Sequence, residues 1–292
     1  MSVPSTKILD HIVHLTPPGS LEATSAQWRE LGFKVIPGGK HAGGFTANAL
    51  VILQDGAYIE LIYFTHPLSY YPPGSPERKA RETHYWASKA PGWIDFAFLG
   101  TSPTLSEVIN ERAEREGSGV KYLSEQEGGR ERPDGKVLKW LITAPAPEDA
   151  RGRWPFFCGD VSPREWRVPV DPPSNAEHPC KALGLAHVRL LAEEQGFSIL
   201  SNQVTSIIGA RPIESSASEA KWVLDSPNIS SSPPYLILSK AKTEVELDYL
   251  RTGGAGIYEV GFLVPQGSGR HGSAETPFGR IVWVEEYSLS SE

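Results

Sequence analysis

Apolar residues alternate with polar ones along LDHIVHLT (Leu9–Thr16), the two-residue period of a strand with a buried face. His11 and His14 stand three apart in it, so a regular strand turns them to opposite sides. The period then lengthens. Leu21, Thr24, Trp28 and Leu31 recur at helical spacing, which predicts a helix over Leu21–Leu31 with Ser20 as its N-cap and Gly32 past its end. A short strand is expected at Phe33–Ile36, broken by Pro37-Gly38-Gly39. Ala47–Leu53 and Ala57–Phe64 read as two more strands around the turn Gln54-Asp55-Gly56. The order is β-α-β-β-β.

A proline-rich connector (His66–Pro76) and a polar segment to Pro91 follow, and the order then restarts. Trp93–Leu99 reads as a strand and Thr104 caps a helix reaching Glu116. Val120–Leu123, Val137–Thr143 and Pro155–Gly159 are expected strands, and Pro163–Pro179, without periodicity, reads as a linker. Beyond it come a strand at Gly184–Leu191, a helix over Phe197–Gly209, and strands at Lys221–Leu224 and Tyr235–Ser239. A helical turn near Glu244–Leu250 leads to strands at Ile257–Val264 and Arg280–Glu285. Side by side, the opening strands LDHIVHL, WIDFAFL, LAHVRLL and IYEVGFL form an internal repeat. A polar residue (His11, Asp95, His187, Glu259) recurs in strands otherwise built for burial.

Composition narrows the partners. Across 292 residues, 39% are apolar and 22% charged, enough for a sizeable core. A formal net charge of −7 without a basic cluster argues against nucleic acid or an anionic membrane surface. No window approaches the roughly 20 apolar residues of a membrane-spanning helix, and the first residues lack a signal-peptide core. Two cysteines, Cys158 and Cys180, are too few for a disulfide framework, so reduced thiols and a cytoplasmic location are expected. The sequon Asn228-Ile229-Ser230 is then expected to stay unmodified.

The ordered set LDHIVHL, PGGKHAGGFTANALV, AYIELIYF, GWIDFAF, and RERPDGKVLKW leading to WPFFCGD resembles the vicinal oxygen chelate superfamily. More narrowly, residues 8–165 resemble its glyoxalase-like domain family. The resemblance implies an α+β fold of repeated βαβββ modules pairing into curled mixed sheets. Residues 1–168 would form the functional cup, and 169–292 a second, diverged pair of modules. It also implies a divalent metal (Zn, Mn, Fe or Ni) held by first- and last-strand residues of each module. His11 and Glu60 match those positions in module one. In module two they hold Asp95 and Phe157 or Cys158, an incomplete set. A homodimer is compatible with this family, whose cups are often completed by a partner chain.

Read as chemistry, Glu60 lies between Ile59 and Leu61, and a buried carboxylate there needs a cation or a hydrogen-bond donor. Alternation also allows the reverse facing, with Glu60 in solvent. His41, in a glycine-rich hairpin, suits a ligand or a general base, or is simply a turn residue. Asn48 shares a strand face with Thr46. Arg130, Arg132 and Trp140 are candidates to bind a substrate oxygen and stack on the substrate. His14 is expected to face a helix or the surface. His187 and Glu259 read as a degenerate copy, and Cys158 as a buried small residue. Two functions follow: a metal-dependent lyase, isomerase or dioxygenase acting on a small oxygen-rich metabolite, or a metal-free protein that binds or sequesters one.

Overall fold

A computed structural model describes residues 3–228, 230, 232–276 and 279–286; Ile229 of the sequon lies outside them. The alternation at the N-terminus forms β1 (Leu9–Thr16), followed by α1 (Leu21–Glu30), β2 (Ile36–His41), β3 (Thr46–Ile52) and β4 (Tyr58–Phe64). A strap holding α2 (Pro76–Glu82) leads to a second βαβββ unit. It consists of β5 (Gly92–Leu99), α3 (Leu105–Glu116), β6 (Gln126–Glu131), β7 (Val137–Thr143) and β8 (Phe156–Asp160). The eight strands close into a barrel in the order β1-β4-β3-β2-β6-β7-β8-β5. First and last strands of each unit run parallel, and β1–β5 and β2–β6 close the seams antiparallel. One chain therefore completes the cup.

Every residue of β1 is buried, because both of its faces are covered. Val13 and Leu15 point into the barrel with Ile62, Phe64 and Trp140. Leu9 and Ile12 point outward into a larger core shared with α1 and the second half of the chain.

A connector with α4 (Arg164–Arg167) crosses to β9 (Gly184–Ala192), α5 (Phe197–Ile208), β10 (Glu214–Ser215), β11 (Glu219–Val223) and β12 (Tyr235–Lys240). The chain ends with α6 (Glu244–Gly253), β13 (Gly256–Val264), β14 (Gly272–Thr276) and β15 (Gly279–Glu285). These seven strands form an open sheet, β10-β11-β12-β9-β13-β15-β14. Its third unit is a full βαβββ; in its fourth, no helix separates the strands among the described residues.

Several expectations change. Pro37-Gly38-Gly39 does not stop a strand but lies inside β2, where a Cβ on Gly38 would collide with Asn48 and Arg130 and one on Gly39 with the Glu131 carbonyl. At these two positions the absence of a Cβ allows the strands to pack closely. Val120–Leu123 forms only an isolated bridge at Tyr122, and β6 was not anticipated. Ser20 precedes α1 as expected, yet its hydroxyl donates to the Pro17 carbonyl instead of capping the helix. The segment read as a linker is ordered against the barrel through α4 and a turn at Pro173–Ala176.

Candidate functional site

The barrel encloses a cavity of about 540 Å³, and His11, His41, Asn48, Glu60, Arg130 and Trp140 all line it. Glu60 faces inward and is buried, while Ile59 and Leu61 face the outer core. Asn48 Nδ2 donates to Glu60 Oε1 at 2.5 Å. His41 Nε2 lies 3.4 Å from the same oxygen, and its Nδ1 meets Thr46 Oγ1 at 2.8 Å. The other carboxylate oxygen, Oε2, faces His11 Nε2 at 3.8 Å. Burial alone would raise the Glu60 pKa. The hydrogen bond and charge of His41, the charge of His11 and the Asn48 amide outweigh it and hold the carboxyl at about 2.

His11 is set by a neighbour that the sequence reading passed over. Between Leu9 and His11 the pairing of β1 with β5 shifts register, skipping Asp10. Such an irregularity re-aims a side chain. Asp10 Oδ2 lies 2.7 Å from His11 Nδ1, although the two are adjacent in the strand. Arg167 Nη1 and Arg164 Nη1 each reach Asp10 at 2.7 Å. Burial opposes ionisation of Asp10, but the two guanidiniums and His11 keep its pKa well below the ordinary carboxylate range. As an anion, Asp10 can only accept, so His11 gives it Nδ1–H. When His11 carries no proton on Nε2 its lone pair faces Glu60 Oε2, and a proton or another positive centre is what joins this acceptor pair. Tyr58 stacks on the His11 ring at 4.6 Å and Phe156 meets it edge-on, fixing its plane.

Arg130 is buried and donates to Asn48 Oδ1 at 3.3 Å and the Arg167 carbonyl at 3.1 Å. Both acceptors are neutral, which leaves its charge directed at the cavity. Trp140 meets His41 edge-on at 6.1 Å.

The other candidates lie elsewhere. Arg132 stands outside the cavity, bonded to the Trp166 carbonyl and paired with Asp134. Asp95 is fully buried and does not line the cavity; it accepts from Arg151, Trp86 and the Gly152 and Phe96 amides, so its oxygens are committed. Cys158 lines the cavity, burial raising its thiol pKa, while Phe157 faces the outer core. His14 faces α1, edge-on to Trp28 and Trp93. In the second sheet His187 bonds Glu259 at 3.0 Å, and Arg280 takes the other Glu259 oxygen at 2.8 Å.

Sequence reasoning also missed Arg151, Arg167 and His84, all in the cavity wall. The signal for Arg167 was present: Arg164 and Arg167 stand one helical turn apart, and the Asp in LDHIVHLT required a cation.

The imidazoles and carboxylate here are donor types that suit a divalent cation. Among the described residues, however, no group of three or more His, Cys, Asp or Glu side chains is placed to hold one. As they stand, the residues do not form a complete protein-derived metal shell.

A family model described as a glyoxalase-like domain matches residues 9–203. No curated protein matches. Among solved structures, a hypothetical protein from Staphylococcus aureus superposes with TM-score 0.67 at 14% identity, covering 95% of this chain and 99% of that one. A mutant 4-hydroxymandelate synthase from Streptomyces coelicolor superposes with TM-score 0.54 at 13% identity, covering 94% and 78%. At these identities the likeness is one of fold.

Proposed function

Because the chain belongs to the glyoxalase-like domain family, we propose that it is an enzyme acting on a small oxygen-rich metabolite in the barrel cavity, with His11 Nε2 as the proton-exchanging atom. One observation carries this: the acceptor pair formed by His11 Nε2 and Glu60 Oε2, 3.8 Å apart in the cavity wall. Asp10 fixes the tautomer and plane of His11 and stabilises the imidazolium once it forms. Glu60, held near pKa 2, is a weak base; its part is to neutralise that imidazolium. Asn48 and His41 keep Glu60 in place. When His11 takes a proton from a carbon beside a carbonyl, the electron pair moves onto the carbonyl oxygen, and Arg130 is the cation available to stabilise it. This is lyase or isomerase chemistry.

The test uses small oxo and hydroxy acids in D₂O, following exchange of their carbon-bound hydrogens. The wild type should accelerate exchange of at least one, and His11→Asn should lower that rate about 10²–10⁴-fold. Exchange that survives His11→Asn and Glu60→Gln would sink the assignment.

A second reading draws on the same acceptor pair. A divalent cation bound by His11 and Glu60 would supply Lewis-acid stabilisation of substrate oxygens. The Asp10–His11 bond favours it, since ligating imidazoles are commonly oriented by a carboxylate. Metal analysis of untagged protein after incubation with Zn²⁺, Mn²⁺, Fe²⁺ or Ni²⁺ separates the two. One equivalent per chain, lost in Glu60→Ala, supports the cation; metal content near zero leaves proton exchange alone. Without any turnover, the same pocket would serve as a binding or sequestration site.

A further inference from the structure

The cavity reaches well beyond its reactive residues. β6 and β7 pair with Arg130 opposite Leu138, Gly128 opposite Trp140 and Gln126 opposite Ile142. Arg130 is buried and Gln126 exposed, and both line the cavity. Four residues of strand span roughly 13 Å, and a barrel tilt of about 35–45° turns that into roughly 10 Å of depth. Arg130 belongs to the polar cluster, joined through Asn48 to Glu60 and so to His11. The volume of about 540 Å³ is that of a pocket for a drug-sized ligand. An acid as short as pyruvate, held at His11 and Arg130, would leave most of it unfilled.

Between the polar cluster and the mouth the wall is largely apolar. Trp140 and Ile142 stand two apart on β7 and both line the cavity. A Cβ on Gly128 would collide with Trp140 Nε1, so the missing side chain is what lets the indole lie against β6. Past β7, Ala144 and Pro145 continue the wall, and the Leu123 amide donates to the Ala144 carbonyl. From the strap between β4 and β5, Tyr85 and Trp86 complete it; Trp86 Nε1 is spent on Asp95, so this residue offers carbon atoms alone. The charged and titratable groups of this half are accounted for. Arg151 is met by Asp95 at 3.0 Å, burial lowers the His84 pKa to about 4 and keeps the ring neutral, and Glu127 is exposed. Tyr85 and Leu123 are each 43% exposed, apolar side chains at the edge of a cavity that shields them only when it is filled.

We propose that the cavity's ligand is amphiphilic: an oxo or hydroxy acid whose oxygens meet His11, Glu60 and Arg130 and whose apolar tail runs past Trp140 and Ile142 to Tyr85 and Leu123. This rests on the reading of the cavity as a small-molecule site and supplies the class of the molecule.

The experiment is calorimetric titration of the full chain with pyruvate, 2-oxopentanoate and 2-oxooctanoate. Affinity should rise roughly threefold for each added methylene, as for a tail leaving water. In the double variant Leu123→Ser, Ile142→Thr, the gain of 2-oxooctanoate over pyruvate should shrink about tenfold; if that variant does not fold, Leu123→Ser alone, at an exposed position, carries the comparison. A 2-oxo acid with a terminal phenyl group separates the two kinds of tail. Tighter binding than the straight chain assigns an aryl tail, stacked on Trp140, and weaker binding an alkyl one. Affinity independent of chain length, no saturable binding of 2-oxooctanoate, or a gain unchanged in the variants overturns the proposal. His11 and Glu60 are intact in these variants, so that failure leaves the proton-exchange assignment standing. Conversely, exchange that survives His11→Asn alongside a chain-length gain would leave the amphiphile site standing without that assignment.

Discussion

Asp10 and His11 are neighbours in a strand, yet their side chains hydrogen-bond inside the barrel because the β1–β5 register slips between Leu9 and His11. That slip converts a solvent-or-core choice into a carboxylate–imidazole pair. Asp10→Asn should remove the anionic acceptor of Nδ1–H and leave Arg167 and Arg164 without one of the two anions they share. Breaking such a buried pair costs roughly 3–5 kcal/mol, to be read by denaturant unfolding. A cost below about 1 kcal/mol would show that Asp10 is not an anion in the folded chain. Glu60 adds a pH dependence. Its folded pKa, about 2, lies below the ordinary 4.5, so its contribution is present above about 4.5 and is lost as pH falls from there toward 2. Glu60→Gln should flatten the unfolding free energy over that window.

The connector is the element that braces the His11 end of the cavity. Arg164 and Arg167 on α4 reach Asp10, and Asp160 at the end of β8 accepts from both. Arg167→Met should therefore act at a distance: His11 loses the anchoring of its Asp10 partner, and exchange activity falls although Arg167 holds no atom of the acceptor pair. Unchanged activity in a folded variant would contradict this. Most strands and four of the helices were legible from period alone, since β1, β3, β4, β5 and β7 have strong apolar patterns and α1, α3, α5 and α6 have capping or amphipathic signals. The connector was not. Its proline-rich segment has no period, because what orders it is ion pairing to residues far away in sequence. β2 was misread for a related reason: Gly38 and Gly39 look like a break but provide the clearance that Asn48, Arg130 and the Glu131 carbonyl require. His11 and Glu60 emerged from the repeat, while Asp10 was concealed by the assumption of regular alternation.

At the scale of the molecule, the barrel and the open sheet share one hydrophobic core. Phe262 of β13 packs at 4.8 Å from Phe33 and 6.2 Å from Trp28, between the two halves. Trp93 Nε1 donates to the Arg280 carbonyl, and Asp55 accepts the Leu185 amide. Phe262→Ala should cost roughly 3–5 kcal/mol and lower the stability of both halves together in a single unfolding transition. Two separated transitions would mean that the sheet is an independent unit. His14 sits in the same core, and burial holds its pKa near 3. The unfolded chain gains that proton below about 6.5 and the folded one does not, so stability falls as pH drops from about 6.5 toward 3. His14→Phe should remove that part of the slope. In the second sheet, the positions that match the cup are closed on themselves by the His187–Glu259–Arg280 chain.

The account turns on Glu60 being a fixed anion between two imidazoles. The direct measurement is the carboxyl carbon resonance of Glu60, assigned by its loss in Glu60→Gln and followed from neutral pH down to about 4 in the folded protein. An ordinary glutamate is more than half protonated at that pH. The account predicts that Glu60 remains a carboxylate, consistent with a pKa of about 2; a midpoint at or above 4.5 would contradict it.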